Sequence, residues 1–182
     1  MNSSLKNLLL PLLATLLLLL LLLLSPNVNG DAALIQSTCN QTASPNLCHS
    51  CLEPDHRSPV ADFEILIKIV MGCGCNQAIM MANYVKKLSQ VASDVHMRDV
   101  LNGCGAMFSQ ASTNLILSDM AMFSKNYTGA MDEVSNAENW ILGCLDQYRQ
   151  FPKLRFQQHL LNGIIEFEGL VQIVKKLINS FV

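Results

Sequence analysis

The sequence predicts an all-α protein: an antiparallel four-helix bundle behind an N-terminal helical hairpin, stapled by disulfides. Three observations carry this. Apolar residues recur at steps of three and four over every long segment, with almost no two-residue alternation. Seven cysteines follow an apolar leader, which places them where disulfides persist. Finally, Cys104 and Cys144 each lie twenty residues from Ser124. If the chain reverses there, antiparallel helices bring both to one level, within disulfide reach.

The leader comes first. Lys6 precedes a nearly pure leucine run over 8–24, and Val28-Asn29-Gly30 ends on a small residue. This is the layout of a secretory signal peptide over residues 1–30, cleaved after Gly30. The run is long enough that a retained signal anchor is the alternative. Residues 31–182 then form one helical domain of about 150 residues, enough to enclose a core. Removing Lys6 takes the formal net charge from −2 to −3. No basic patch interleaves with aromatics, so nucleic acid is not expected as a partner, nor is a membrane after cleavage.

From Asp31 to Asp55 the pattern is short-ranged. Ser44-Pro45 suits a helix start, with serine as cap and proline in the first turn. Two short helices, stapled by Cys39 and Cys48, are expected here. Ser58-Pro59 is expected to open the first long helix, running to about Leu88 with Phe63, Ile67, Val70, Ala78, Met81 and Val85 on its apolar face. Gly72 and Gly74 mark a kink or a close helix crossing. Ser93 or Asp94 caps the second long helix, whose seam is Leu101, Cys104, Phe108, Ala111 and Leu115.

Asn126 or Thr128 starts the third long helix, with Tyr127, Ala130, Val134, Ala137, Ile141, Cys144 and Tyr148 as its seam. Pro152 closes that region. The last helix is expected over about 154–181, on Leu160, Ile164, Phe167, Val171, Val174, Ile178 and Phe181.

Catalytic chemistry finds little support. His49, His56, His96 and His159 sit in no triad or elbow motif and read as surface side chains. Asp132-Glu133, Glu166 and Glu168 read as solvated helix faces. There is no P-loop and no helical histidine pair, so no metal or cofactor is expected. Cys48-His49-Ser50-Cys51 with Cys73-Gly74-Cys75 loosely resembles a four-cysteine zinc site, but export favours disulfides. Plant lipid-transfer proteins share the Cys-x-Cys but carry an adjacent Cys-Cys pair and eight cysteines. Residues two apart on a helix face different ways, so Cys73 and Cys75 cannot both pair with Cys51. One further bridge and one buried thiol are expected. Two sequons, Asn40-Gln41-Thr42 and Asn126-Tyr127-Thr128, mark Asn40 and Asn126 as glycosylation sites.

Over its whole mature length the chain resembles the plant invertase and pectin methylesterase inhibitor family. Ser37-Thr38-Cys39 through Thr42, Pro45 and Cys48 to Leu52 and Asp55 is similar to its N-terminal signature. Leu101, Cys104, Phe108 and Ala111 match its second core helix; Tyr127, Ala130, Ser135, Ala137 and Cys144 match its third. The resemblance implies disulfides paired in sequence order, Cys39 with Cys48 and Cys104 with Cys144. It also implies a secreted, non-enzymatic inhibitor, without cofactor, that blocks cell-wall pectin methylesterase or acid invertase by non-covalent docking in the apoplast.

The target is expected to be pectin methylesterase slightly ahead of invertase. The best-known invertase inhibitors carry Pro-Lys-Phe at the tip between the second and third core helices, where this chain has Tyr127-Thr128-Gly129. Pro152-Lys153-Leu154 lies at the other end of the third helix and does not replace it. The run from Cys144 to Pro152, with Tyr148, Arg149 and Phe151, instead resembles chains labelled as invertase inhibitors. Contact is expected on the exposed faces of the second and third core helices. The alternative reading is a secreted helical module for a small apolar ligand or cell-wall component, with Met80, Met81, Met97, Met107, Met120 and Met122 lining a cavity.

Overall fold

A computed structural model of the chain describes residues 29–182. The leader reading therefore lies almost wholly outside the described residues. Six α-helices follow one another: α1 (Asn29–Asn40), α2 (Pro45–Leu52), α3 (Phe63–Val91), α4 (Val95–Phe123), α5 (Tyr127–Arg149) and α6 (Gln158–Ile178). A 3-10 turn at Ser58–Val60 precedes α3, and no strand occurs among the described residues. Residues 31–182 make one compact unit. Its core is the four long helices, in which each packs on its chain neighbour and α6 returns to pack on both α3 and α5. That closed ring of antiparallel helices is the expected four-helix bundle. The short α2 lies against α3 and α6.

The seams decide this arrangement. Every seam residue of α4, and every one of α5 from Ala130 to Tyr148, is buried. On α6 the seam is buried from Leu160 to Ile178. Phe181 lies past the helix end, its ring between those of Tyr127 (centroids 4.6 Å apart) and Phe63 (5.7 Å). Polar cross-links join neighbours at the bundle's rim. Gln77 on α3 donates to the Gly163 carbonyl and to Glu166 on α6, at 3.3 and 3.1 Å. Lys175 on α6 pairs with Glu138 on α5 at 3.0 Å.

Two helix starts differ from the sequence expectation. α3 begins at Phe63, because Asp62 is extended and its Oδ1 accepts from the Ile65 amide at 2.8 Å. Ser58-Pro59 instead forms the 3-10 turn, where the Ser58 hydroxyl donates to the Leu52 carbonyl at 2.6 Å. An aspartate cap four residues after Ser58 competes with the Ser-Pro signal and wins. α6 begins at Gln158 rather than near Leu154. The preceding segment folds over the bundle end, where Phe156 lies 4.2 Å from the Tyr148 ring and Gln157 accepts the Tyr148 hydroxyl at 3.0 Å. Pro45 opens α2, but Ser44 makes no side-chain capping bond.

Asp94 caps α4 and Asn126 caps α5, accepting from Met97 and Gly129 amides at 2.8 and 3.0 Å. α3 runs unbroken through Gly72 and Gly74. Gly74 is a close-crossing position, since a Cβ there would sit 3.0 Å from Leu115 Cδ1 on α4, whereas one on Gly72 would meet nothing within 4 Å.

Glycine contacts yield a first prediction. A Cβ on Gly163 would fall 1.8 Å from the sulfur of Met81, which is itself buried. Gly163→Ala should cost about 1–2 kcal/mol, because overpacking exceeds the helix-propensity gain. Gly72→Ala should stabilise by about 0.5–1 kcal/mol, having the gain without the clash. Urea midpoints shifted in opposite directions would show it; equal shifts would contradict the packing.

Candidate functional site

With the seams turned inward, function must be carried on outer helix faces, and the α4–α5 pair offers a defined one. Cys104 and Cys144 are bonded, with Cα atoms 4.7 Å apart. The two helices crowd closely around this bond: a Cβ on Gly103 would collide with the Gln147 amide, and one on Gly143 would touch Met107 at 3.3 Å. Toward solvent the approach widens into an open groove of about 510 Å³, lined by Met107, Gln110 and Asn114 from α4 and by Asn136, Asn139, Trp140 and Gly143 from α5.

This lining has an interface chemistry. Its polar groups are carboxamides, each able to donate and accept. Asn114 is held in place by a bond to Glu133 across the helix pair. Trp140, the one tryptophan of the chain, is 41% exposed at the groove's edge. It stays outside because it falls one residue short of the seam position Ile141. An exposed tryptophan ringed by neutral amides is typical of surfaces that anchor a protein partner. Sequence reasoning passed over Trp140. Its signal was a large aromatic off the seam of an otherwise regular amphipathic helix.

The opposite shoulder of α4 carries a second exposed stripe, Ile116, Met120 and Phe123, at steps of four and three. Lys68 of α3 lies 5.7 Å above the Phe123 ring. Between these surfaces the hairpin tip is tied down. Lys125, in the left-handed region with φ 57°, pairs with Glu64 at the start of α3. Tyr127 stacks on Phe181 as described above. The Lys125 contact, assisted by Lys68, holds the Glu64 carboxyl below its usual range against an opposing effect of burial.

That shift gives a pH prediction. A carboxyl with a depressed folded-state pKa contributes stability above its unfolded pKa, near 4.5, and loses it as pH falls through the lower folded value. The tip tie should therefore hold at neutral pH and weaken only as pH falls below that unfolded value toward the depressed folded one. Glu64→Gln should flatten that part of the acid-stability curve by lowering stability at neutral pH and leaving it unchanged in acid, a small loss because Lys125 is largely exposed. Melting temperatures against pH for both proteins would measure it.

The remaining sequence-derived candidates are placed as follows. Cys39 and Cys48 are bonded, with Cα atoms 5.4 Å apart, and hold α1 against α2. Cys51 bonds to Cys73, tying α2 to α3, and Cys75 is left as a half-buried thiol facing the Ser112 carbonyl on α4. Burial raises its pKa, which makes it a poor nucleophile.

The histidines lie at four separate places. His49 contacts Glu53, His56 is exposed beside Asp55, His96 stacks on Phe151 and His159 meets Tyr84 edge-on. Among the described residues no three metal-ligating side chains converge. Glu133 and Glu166 prove to be partners of Asn114 and Gln77 rather than merely solvated.

The methionines do not gather round one cavity. Met81 and Met122 are core, Met80 and Met120 are exposed, Met107 edges the groove, and Met97 packs at the bundle end beside Tyr148 and Gln157. Scattered over core, surface and bundle end, they leave the ligand-cavity alternative without its lining.

Compared with known proteins, residues 33–177 match the family model described as plant invertase/pectin methylesterase inhibitor. A characterised Arabidopsis thaliana protein, cell wall / vacuolar inhibitor of fructosidase 2, is 27% identical over 177 residues, spanning 97% of this chain and 98% of its own. Among solved structures, the crystal structure of a pectin methylesterase inhibitor from Arabidopsis thaliana matches with a TM-score of 0.60 at 19% identity. The match covers 81% of this chain and 95% of that one, a likeness of fold.

Proposed function

This chain belongs to the plant invertase/pectin methylesterase inhibitor family, and we propose that it is a secreted inhibitor acting through the α4–α5 groove on a plant cell-wall carbohydrate-active enzyme. The observation that carries the reading is a rigid, neutral, tryptophan-bearing groove on a disulfide-clamped helix pair in a chain of this family. A pre-organised surface loses little entropy on docking, so a modest number of contacts suffices for tight inhibition. The inhibitor is not itself an enzyme.

Pectin methylesterase is the first target. The tip lacks Pro-Lys-Phe and is fastened through Lys125 and Tyr127, which favours docking by the helix face over insertion of the tip. The second target, acid invertase, is favoured by the full-length relative named for fructosidase inhibition. The site of action is extracellular, at the cell wall; the same relative's name makes the vacuole the alternative compartment.

Titration of the secreted, oxidised protein against a plant pectin methylesterase and an acid invertase at mildly acidic pH tests this. Stoichiometric loss of one activity identifies the target. Full activity of both enzymes at inhibitor excess overturns the proposal.

A further inference from the structure

The two sequons look equivalent in sequence, and both acceptor asparagines are exposed. Their hydroxyl partners are not equivalent. Oligosaccharide transfer requires the acceptor amide and the hydroxyl two residues on to be presented together, so the state of the threonine matters as much as that of the asparagine.

At the first sequon Thr42 is only 7% exposed, and its Oγ1 donates to the Cys39 carbonyl at 2.8 Å. The Thr42 amide donates to the same carbonyl at 3.0 Å, and the Gln41 amide to Thr38 at 3.3 Å. Asn40 itself, at the end of α1, accepts from Gln36 at 3.4 Å. The segment is wound into the turn that the Cys39–Cys48 bond closes. At the second sequon Asn126 and Thr128 are both exposed, and a single capping bond, from Gly129 to Asn126 Oδ1, restrains the acceptor. That bond uses the amide oxygen and leaves Nδ2 unengaged by it.

We propose that Asn126 and Asn40 are N-glycan attachment sites with opposite dependence on folding: Asn126 accepts a glycan whatever the disulfide state, whereas Asn40 accepts one only before Cys39–Cys48 closes over Thr42. At either site Nδ2 attacks the anomeric carbon of an oligosaccharide carried on a lipid pyrophosphate. The N–C bond forms as the sugar–phosphate C–O bond breaks, the lipid pyrophosphate leaves, and one amide proton passes to solvent. At Asn40 this step races the oxidation of two thiols nine residues apart. Disulfide formation takes seconds upward and translation adds about 5–20 residues per second, so the two processes overlap and the outcome is a mixture of glycoforms.

The inference rests on the export reading, so the test reads import separately. The full-length chain is translated into endoplasmic-reticulum microsomes, with protease protection reporting import and mass spectrometry reporting each sequon. In oxidising conditions Asn126 should be occupied in most imported chains and Asn40 in a minority. Adding dithiothreitol, or substituting Cys48→Ala, should raise Asn40 occupancy at least twofold and leave Asn126 unchanged. Near-complete Asn40 occupancy in oxidised chains, no rise in either perturbed arm, or an Asn126 level that follows the disulfide overturns the proposal. Protease-sensitive, unglycosylated chains would overturn the export reading along with it.

Discussion

Replacing Cys104 and Cys144 together by alanine should lower the thermal midpoint by about 8–16 °C. The bond closes a forty-residue separation. In the loop-entropy model such a closure contributes about 4 kcal/mol, against about 2.6 kcal/mol for the nine-residue separation of Cys39 and Cys48. A domain of about 150 residues loses roughly 2–4 °C per kcal/mol. Both sulfurs are fully buried on the α4–α5 seam, so the pair of alanines also leaves a small void. Single substitution breaks the same bond and should cost about as much or slightly less, because the remaining thiol, a small apolar group, fills part of the void.

The functional consequence separates clamp from core. Well below the melting midpoint the double variant should still fold, since the other seam residues remain buried. Its inhibition should weaken nonetheless, because α4 and α5 gain relative freedom that docking must then remove. Thermal scans together with inhibition titrations at low temperature would measure both effects. An unchanged midpoint would show that the denatured chain already holds these helices together.

The bundle was legible because its signals are local and periodic. Cys104 and Cys144, equally spaced about Ser124, lie opposite each other because the turn occupies only Ser124–Asn126. Helix starts were less legible, because several residues compete to cap one segment. Asp62 displaced Ser58, and the packing of Phe156 and Gln157 onto Tyr148 displaced the start of α6. Neither competition shows in a pattern of threes and fours.

The groove was least legible, since it depends on what two helices present side by side. Gln110, Asn114, Asn136 and Asn139 are unremarkable singly and become a lining only when α4 and α5 are clamped. The unequal sequons illustrate the same limit. Thr42 is hidden by tertiary structure that the three-residue motif does not encode.

Trp140→Ala should weaken inhibition by about thirtyfold while moving the melting temperature little. Anchoring aromatics at interface centres typically cost about 2 kcal/mol or more when truncated, and 1.4 kcal/mol is a factor of ten. The folded state loses less, because Trp140 is 41% exposed and off the buried seam. Phe123→Ala is the matched comparison. Phe123 is 81% exposed on the other shoulder of α4, so its removal should leave both stability and groove docking nearly intact. If Phe123→Ala weakens inhibition and Trp140→Ala does not, the docking surface is the Ile116, Met120 and Phe123 stripe instead. Salt provides an independent check. The groove lining is uncharged, so association through it should change little with ionic strength, whereas docking on the shoulder beside Lys68 should respond to it.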